Sequence, residues 1–500
     1  MAADTKAPTS PPAPVSDARK WIVLLGAIIV QLILGTVYGY SVFWQPLEQE
    51  MGLAQTQATY AFSICILSFA LTMVIAGRVQ DIKGPRFTAI IGAVLMGVGF
   101  LIAGFMTSPI VFYIAHAAFS GVVILMLLML FHAFFGKIDE QQVPILKYVP
   151  FAIIGAGIVA GVVLGNRYVG QLGDLDKLFV LWGTVGFLAG AGIGMAYVCP
   201  IAALVKWFPK KKGLVSGIAV AGFGFGAYLF KGEEIGAVGF IRNYGIDSFF
   251  MVHGVVCLVA VTIGAMMLKN PPDVTGGSSA GGAPESSWQD TLKRPAFYVL
   301  WIMFFSGAMA GLMVIGILKP FAGSQLVEAA RAAAGGELSQ AKTDALLLEG
   351  AAAVGYLAIF NAIGRIVWGF VSDWIGRTLS FVAMFVFQAV ILVLLIGMKT
   401  ELTLAIGASI IGFNFGGNFA LFPSATADLF GAKNLGANYG WVFTSYGIAG
   451  VVGIAAWNMA KQHASPAVAL TVAAVLCLIS AGLAVGLKVT TARQAAAAQA

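Results

Sequence analysis

The sequence predicts an all-helical protein that crosses a membrane many times. Apolar residues make up 59% of the 500 residues and charged residues only 10%, against about 25% charged residues in ordinary soluble domains. So few charges cannot cover the surface of a soluble protein. The apolar runs are about 20 residues long, which suits membrane helices, whereas barrel strands would alternate over about 10 residues. The 62 glycines suit closely packed membrane helices.

Fourteen membrane spans are predicted, with a polar linker rich in Gly, Ser and Pro between the eighth and the ninth. The predicted division of the chain is a disordered cytoplasmic tail (1–20), an N-terminal helix bundle (21–268) with the inserted spans within 107–177, a cytoplasmic linker (269–295), a C-terminal helix bundle (296–489) and a C-terminal tail (490–500). The spans lie near 21–43, 57–77, 86–106, 109–135, 147–166, 178–205, 213–232, 249–268, 296–318, 350–372, 378–397, 402–426, 435–458 and 466–488.

The first 20 residues contain no apolar core, so they are not expected to be a cleavable signal. The four cysteines all lie within apolar runs, at Cys65, Cys199, Cys257 and Cys477. Neither a disulfide framework nor a metal cluster is therefore indicated, and no cofactor is predicted.

The basic residues indicate how the chain is oriented. An even number of spans places both termini on one side, and that side carries about twice as many Lys and Arg residues as the other. The positive-inside rule therefore predicts cytoplasmic termini. This topology explains the net charge of +7, so the lipid bilayer is the expected partner and nucleic acid is not.

The two halves of the chain repeat each other. The turns 77-GRVQDIKGPR-86 and 369-GFVSDWIGR-377 align at Gly, Asp and Gly with a constant offset of 292 residues. A second pair, Pro200…Gly213-x-x-x-Gly217 and Pro423…Gly436-x-x-x-Gly440, aligns with a constant offset of 223. Two ordered sets of matches predict parallel repeats, which is typical of a transporter whose site lies between its halves.

The change of offset locates an insertion. The offset falls by 69 residues between the two pairs, so the first half carries about that many extra residues within 107–177. This length fits two spans with their loops, and removing them leaves a core of six plus six helices. A lipid-facing accessory hairpin and a docking surface are both open interpretations of this inserted pair.

The repeated turns resemble the signature of the major facilitator superfamily. Four stretches are similar to the oxalate/formate antiporter family: 35-GTVYGYSVFWQPL-47, 194-GMAYVCP-200, 207-WFPKKKGLVSGIAVAGFGFGA-227 and 361-NAIGRIVWGFVSD-373. That family includes bacterial lactate and monocarboxylate transporters. The resemblance covers nearly the whole chain except 107–177, the tail and an Ala-rich segment at 322–348. It implies the major facilitator fold and a transporter, not an enzyme, in the plasma (inner) membrane of a prokaryote.

Arg365 is the one Lys or Arg that lies deep within a predicted span, and no Asp or Glu does. It precedes the inner end of its helix at Asp373 by eight residues, or about 12 Å, which is close to the midplane of a core about 30 Å thick. Such an arginine either snorkels or faces a watery cavity. Without an internal counter-ion, it is expected to bind the carboxylate of a small organic anion. The family resemblance implies the same role.

Two further residues are expected beside Arg365. Asn361 lies one turn earlier on the same helix face, where related monocarboxylate transporters carry an acid. Tyr446 occupies the position at which oxalate exchangers of the family carry a lysine, which favours a singly charged anion such as lactate, acetate, formate or pyruvate. A helix–helix hydrogen bond and aromatic packing are the alternative roles of these two residues. Lower-ranking candidates for the cavity lining are Tyr197, Gln31, Asn414 and Asn418.

Residues nearer the membrane surfaces receive other roles. Tyr38 and Trp44 are interpreted as anchors at the outer interface. The superfamily resemblance implies that four charged residues form an inner-side charge lock that stabilises the outward-open state: Asp81, Arg86, Asp373 and Arg377.

The predicted function is secondary active transport of a small monocarboxylate by alternating access. Because no buried carboxylate is available to carry a proton, coupling must use the substrate carboxylate, the occupancy of Arg365 or the exchange of two anions. Proton symport, with protons as a partner, and anion exchange both remain open. The alternative functions are an oxalate/formate-type dicarboxylate exchanger and a transporter-like sensor or assembly partner.

Overall fold

The computed structural model describes residues 18–106, 174–230, 236–272, 285–463 and 465–497, with scattered positions between 107 and 173. All regular secondary structure in these ranges is helical. Most of the predicted tail at 1–20 and nearly all of the predicted insertion within 107–177 lie outside the described residues.

The helices are numbered here in chain order among the described residues. Those of the first half are α1 (Ala18–Leu34, continued by a 3-10 helix over Gly35–Phe43), α2 (Trp44–Met51), α3 (Gln55–Lys83), α4 (Pro85–Ala103), α5 (Asp174–Leu181, continued by a π-helical segment over Trp182–Leu188), α6 (Ala189–Trp207), α7 (Lys212–Phe230) and α8 (Ala237–Met267). Those of the second half are α9 (Trp288–Lys293), α10 (Pro295–Ala334), α11 (Gln340–Ile375), α12 (Arg377–Leu395), α13 (Glu401–Phe430), α14 (Leu435–His463) and α15 (Pro466–Ala497).

Eleven helical spans in the described ranges are long and apolar enough to cross a membrane, and Lys212–Gly226 of α7 is a shorter apolar helix. These twelve segments fall at the positions of the predicted core spans, six in each half. The total of fourteen and the cytoplasmic termini stay predictions. The face at which α3 and α6 end and α4 and α7 begin is called the inner face below.

Helices α10 and α11 are longer than the apolar runs that predicted them. They contain 40 and 36 residues, whereas the predicted spans 296–318 and 350–372 contain 23 each. The extensions cover most of the Ala-rich segment at 322–348, which is rich in strong helix formers. The end of an apolar run marks where a helix leaves the membrane, but the helix itself can continue beyond that point. Helix α10 ends only at Gly335, which adopts a left-handed conformation with φ of 65°.

The two halves meet through the repeated glycines. Gly77 of α3 crosses Gly436 of α14, and Gly213 of α7 crosses Gly369 of α11, so closely that a Cβ atom on any of the four would clash with its partner's carbonyl oxygen. Each crossing joins one glycine from the 292-residue match to one from the 223-residue match. The interface between the halves is therefore built from α3 with α14 and from α7 with α11, in a two-fold related arrangement.

Candidate anion-binding site

Arg365 is completely buried between the two halves of the bundle. Its Nε donates a hydrogen bond to Asn361 Oδ1 at 2.8 Å, and its Nη1 donates to the Val220 carbonyl oxygen at 2.8 Å. The guanidinium carbon lies 4.2 Å from the centre of the Phe419 ring and 5.6 Å from that of Phe223. Because Val220 and Phe223 belong to α7 while Asn361 and Phe419 belong to the second half, both halves hold this side chain.

Two glycine crossings fix the position of Arg365 relative to the neighbouring helices α7 and α13. A Cβ on Gly217 of α7 would clash with the Arg365 carbonyl oxygen, and one on Gly416 of α13 would clash with that of Asn361. The residue 292 positions before Arg365 is Met73, whose carbonyl oxygen faces Gly440 in the equivalent crossing. At equivalent positions of the repeat, the second half therefore carries a cation, Arg365, and the first half carries an uncharged thioether, Met73.

The positive charge of Arg365 is not neutralised by the described part of the chain. The ion pairs found there involve other cations, and Arg365 Nη2 has no hydrogen-bond acceptor there. Asn361 orients the guanidinium without cancelling its charge, as its position one turn away predicts. Cation–π contacts offset part of the desolvation of a buried cation. A carboxylate acceptor at Nη2 would supply the missing charge and the missing hydrogen bond.

The buried polar and aromatic side chains around Arg365 are called the cluster below. Tyr446 belongs to this cluster and connects it to the first half. Its buried ring packs 5.5 Å from that of Phe419, the ring beneath the guanidinium. Its hydroxyl is 2.7 Å from the hydroxyl of Tyr38, whose ring packs edge-on against Phe223, with ring centres 4.9 Å apart; Phe223 is the second ring beside the guanidinium. The 3-10 continuation of α1 and helix α14 are thus joined by a pair of phenols beside the cation.

Gln31 and Tyr197 form the first-half wall of this cluster. Gln31 Nε2 donates to the Tyr197 carbonyl oxygen at 3.0 Å, and the Tyr197 ring packs against Phe223 and Phe443. Gln31 Oε1 and the Tyr197 hydroxyl are buried without a hydrogen-bond partner in the described ranges. Buried polar atoms without a partner carry a desolvation cost of about 1–3 kcal/mol each, which a bound polar molecule would relieve.

The two asparagines of α13 are buried but make their hydrogen bonds elsewhere. Asn414 Oδ1 accepts from the Trp368 indole at 3.3 Å. Asn418 Nδ2 donates to the Phe415 carbonyl oxygen at 3.2 Å, and its side chain lies against Gly307 of α10. Neither hydrogen-bonds to Arg365, so their place in the cavity lining stays a prediction.

Two tyrosines in the cluster were not among the residues predicted for the site. Tyr38 was interpreted as an interface anchor, yet its hydroxyl contacts Tyr446. Tyr439 is completely buried and its hydroxyl has no partner within the described residues. A signal was present for Tyr439, because it precedes Tyr446 by seven residues on α14, a spacing that returns to the same helix face. It was absent for Tyr38, because the chain changes to a 3-10 helix between Gln31 and Tyr38 and the helical period changes with it.

At the inner face, two aspartates cap helices of the opposite half. Asp81 of α3 accepts hydrogen bonds from the backbone N–H groups of Gly436 and Ala437 at 3.3 and 2.8 Å. Asp373 of α11 accepts from those of Gly213 and Leu214 at 3.0 and 2.8 Å. A carboxylate at a helix N-terminus satisfies free N–H groups and interacts favourably with the helix dipole. These two caps are called the inner lock.

Ion pairs reinforce the cap at Asp373. Arg377 pairs with Asp373 at 2.8 Å and with Asp428 at 2.9 Å, and Lys212 of the first half pairs with Asp428 at 2.8 Å. The other cap has a weaker partner, since Lys206 Nζ is 3.9 Å from Asp81.

Arg86, the fourth residue predicted for the lock, is exposed near the start of α4. It forms no hydrogen bond or ion pair with the other three in the part of the chain described. The sequence did not single out Lys206, Lys212 and Asp428 for the lock, because no repeat links them.

Residues 147–454 match the Major Facilitator Superfamily. The chain belongs to this superfamily. It is therefore a multi-pass membrane transporter and not an enzyme, as the helical architecture and the repeated turns predicted.

Several characterised and uncharacterised transporters are similar to this chain. An uncharacterized MFS-type transporter, YhjX of Escherichia coli (strain K12), is 25% identical over 86% of each chain. The oxalate:formate antiporter of Oxalobacter formigenes is 28% identical over 61% of this chain and 67% of its own. The apicoplast pyruvate carrier 1 of Toxoplasma gondii is 28% identical over 58% of this chain and 61% of its own.

The fold is also that of solved transporters. A bacterial homologue of the iron transporter ferroportin, in its outward-facing state, superimposes with a TM-score of 0.57 over 94% of this chain and 99% of its own, at 14% identity. At that identity the similarity concerns the fold alone.

Proposed function

We propose that this transporter carries a small monocarboxylate anion, such as lactate, acetate, formate or pyruvate, by alternating access. One observation carries the proposal: Arg365 is completely buried between the halves, with no carboxylate partner in the described residues and with Nη2 free. A guanidinium is planar and presents parallel N–H groups that match a carboxylate. The substrate carboxylate is the counter-ion of Arg365 in this proposal.

The number of cations in the cluster favours a singly charged substrate. Among the described residues, Arg365 is the one cation in the cluster, and Tyr446, at the position of the second cation in oxalate exchangers, contributes a hydroxyl. Phenol hydroxyls donate to a carboxylate oxygen or to a 2-hydroxyl without adding charge. The hydroxyls of Tyr197 and Tyr439, free within the described ranges, provide further donors. Similarity to pyruvate carrier 1 supports a monocarboxylate.

A dicarboxylate exchanger is the second candidate, because the chain is similar to an oxalate:formate antiporter. In either case, the charge of Arg365 is uncompensated when no substrate is bound. This buried charge hinders the transporter from passing through a closed intermediate. A bound anion removes that hindrance. Reorientation then breaks the inner lock and separates the Gly77–Gly436 and Gly213–Gly369 crossings that lie beside it. Transport is proton symport if a proton crosses together with the substrate. It is anion exchange if a second anion occupies the site when the transporter returns.

Uptake into proteoliposomes tests the substrate class. We expect saturable uptake of at least one radiolabelled monocarboxylate from lactate, acetate, formate and pyruvate, and weaker uptake of oxalate. An inward proton gradient should accelerate uptake by a symporter, whereas preloaded unlabelled substrate should accelerate uptake by an exchanger. Protein-free liposomes are the control. If no carboxylate is transported while a neutral sugar is, the proposal fails.

Replacing Tyr446 with lysine is expected to change the preference between anions. The variant places a second cation beside Arg365, so affinity for oxalate relative to lactate should rise by at least about tenfold, as a Coulomb gain of 1.4 kcal/mol or more implies. The measurement is the ratio of inhibition constants of the two anions. Tyr446→Phe, which removes the hydroxyl and adds no charge, is the matched control. An unchanged ratio in Tyr446→Lys would place the substrate away from this residue.

A further inference from the structure

The turn between α6 and α7, 207-WFPKKK-212, carries three lysines that face two different environments. Lys212 turns into the protein and pairs with Asp428, and its side chain is only 7% exposed. Lys210 and Lys211 are exposed on the inner face, and no ion pair within the described residues involves them. One short turn therefore contributes both to the contact between the halves and to a free positive surface.

Aromatic contacts join this turn to the inner ends of α1 and α8. The Trp207 indole donates a hydrogen bond to the Lys269 carbonyl oxygen at 2.6 Å. The Phe208 ring packs edge-on against Trp21, with ring centres 5.8 Å apart, and Lys20 Nζ lies 6.0 Å from the centre of the Trp21 ring. The basic-aromatic patch is defined as Lys20, Trp21, Lys210, Lys211 and Lys269.

The position of this patch matches the polar boundary of a membrane. Each helix end that contributes to it belongs to a membrane-spanning segment or its flank. Trp21 is 58% exposed, and exposed tryptophans at span ends lie among lipid headgroups. The side chain of Lys269 is exposed like those of Lys210 and Lys211. The patch therefore presents cations at the height of lipid phosphates, with an indole that packs beside the glycerol and upper acyl chain.

We propose that the basic-aromatic patch binds the phosphate headgroup of an anionic phospholipid of phosphatidylglycerol type. The argument is charge complementarity: Lys210, Lys211 and Lys269 are exposed on two chain segments that the Trp207 indole joins, and none of these three lysines forms an ion pair within the described residues. Clustered Lys and Arg residues next to membrane spans attract anionic lipids, and each contributes roughly fivefold to binding. A lipid is favoured over free phosphate because Trp21 offers an apolar surface that only the lipid can use. A headgroup bound at Lys211 also steadies the turn that holds the Lys212–Asp428 pair.

Native mass spectrometry of the detergent-purified protein tests this site directly. Titration with phosphatidylglycerol and with phosphatidylcholine of the same acyl chains should show preferential retention of phosphatidylglycerol. Lys210→Gln/Lys211→Gln should weaken phosphatidylglycerol binding by roughly 30-fold and leave phosphatidylcholine binding unchanged, which also reports that the protein remains folded. Lys210→Arg/Lys211→Arg should restore the preference.

The control is a double variant at the same face in the other half, Lys293→Gln/Lys433→Gln, whose lysines are also exposed. It should retain phosphatidylglycerol like the unmodified protein. The proposal is overturned if this control loses as much affinity as the patch variant, or if the two lipids bind equally. It is also overturned if glycerol phosphate displaces the lipid at equal concentration, since the patch would then recognise a free phosphate.

Discussion

Arg365→Gln is expected to lower the affinity for the transported carboxylate by roughly 30-fold or more. The glutamine amide can still donate a hydrogen bond to Asn361 Oδ1 or to the Val220 carbonyl oxygen, which now accept from Arg365, so the helix packing should survive. The variant lacks the charge that a substrate carboxylate would neutralise. Truncating one partner of a buried charge pair costs about 2–5 kcal/mol, a loss of roughly 30-fold to several thousand-fold in affinity. The measurement is the concentration dependence of labelled lactate, acetate and formate uptake into proteoliposomes.

Two further variants make this result specific. Arg331→Gln removes an exposed arginine from the extension of α10 and should transport normally. Arg365→Lys retains the charge but loses the parallel donors of the guanidinium, so it should fall between the unmodified protein and Arg365→Gln. Unchanged saturable uptake in Arg365→Gln would show that the substrate carboxylate binds elsewhere.

Asp373→Ala is expected to open the inner face. The variant loses two hydrogen bonds to the N-terminus of α7 and the ion pair with Arg377. Hydrogen bonds to a charged group stabilise by about 1.5–3 kcal/mol each, so the equilibrium between inner-closed and inner-open forms should shift by roughly tenfold or more. Net uptake should fall because the transporter then rests with its inner face open.

Cysteine labelling measures this opening. Ser216 of α7 is completely buried and lies just behind the capped N-terminus. A Ser216→Cys probe, in a background without the four native cysteines, should react at least about tenfold faster with a water-soluble maleimide when Asp373 is replaced, in line with the expected population shift. Asp290→Ala, which removes an exposed carboxylate from α9, is the control and should leave the rate unchanged. Equal rates in the Asp373 variant and the unmodified protein would exclude Asp373 as a restraint on opening.

The part of the site that lies on one helix could be predicted from the sequence. Arg365 and Asn361 are four residues apart, and four residues is one helical turn, so their contact is a local property. The depth of Arg365 follows from the helical rise and from the charged turn that ends α11. The helical class and the core spans follow from composition and from the length of the apolar runs.

Contacts between distant segments could not be predicted in this way. Tyr38 and Tyr446 are 408 positions apart and hydrogen-bond directly, while Arg365 Nη1 bonds a carbonyl oxygen of α7. A backbone carbonyl is the same group at every residue, so no side-chain pattern marks Val220 as the acceptor. Arg86 belongs to the repeated turn in sequence, yet in the structure it is exposed near the start of α4 and bonds to none of the other lock residues within the described ranges.

By itself, the sequence determined that the protein lies in a membrane, that it is helical, that its two halves repeat each other and that Arg365 is buried deep in a span. Each of these properties depends on composition or on the spacing of residues along the chain. The tertiary structure alone decided that α3 pairs with α14 and α7 with α11, and that two tyrosines meet beside Arg365. The physical reason lies in the glycines. They permit any close crossing, and a residue without a side chain does not specify its partner; the choice of partner depends on how all the helices pack together.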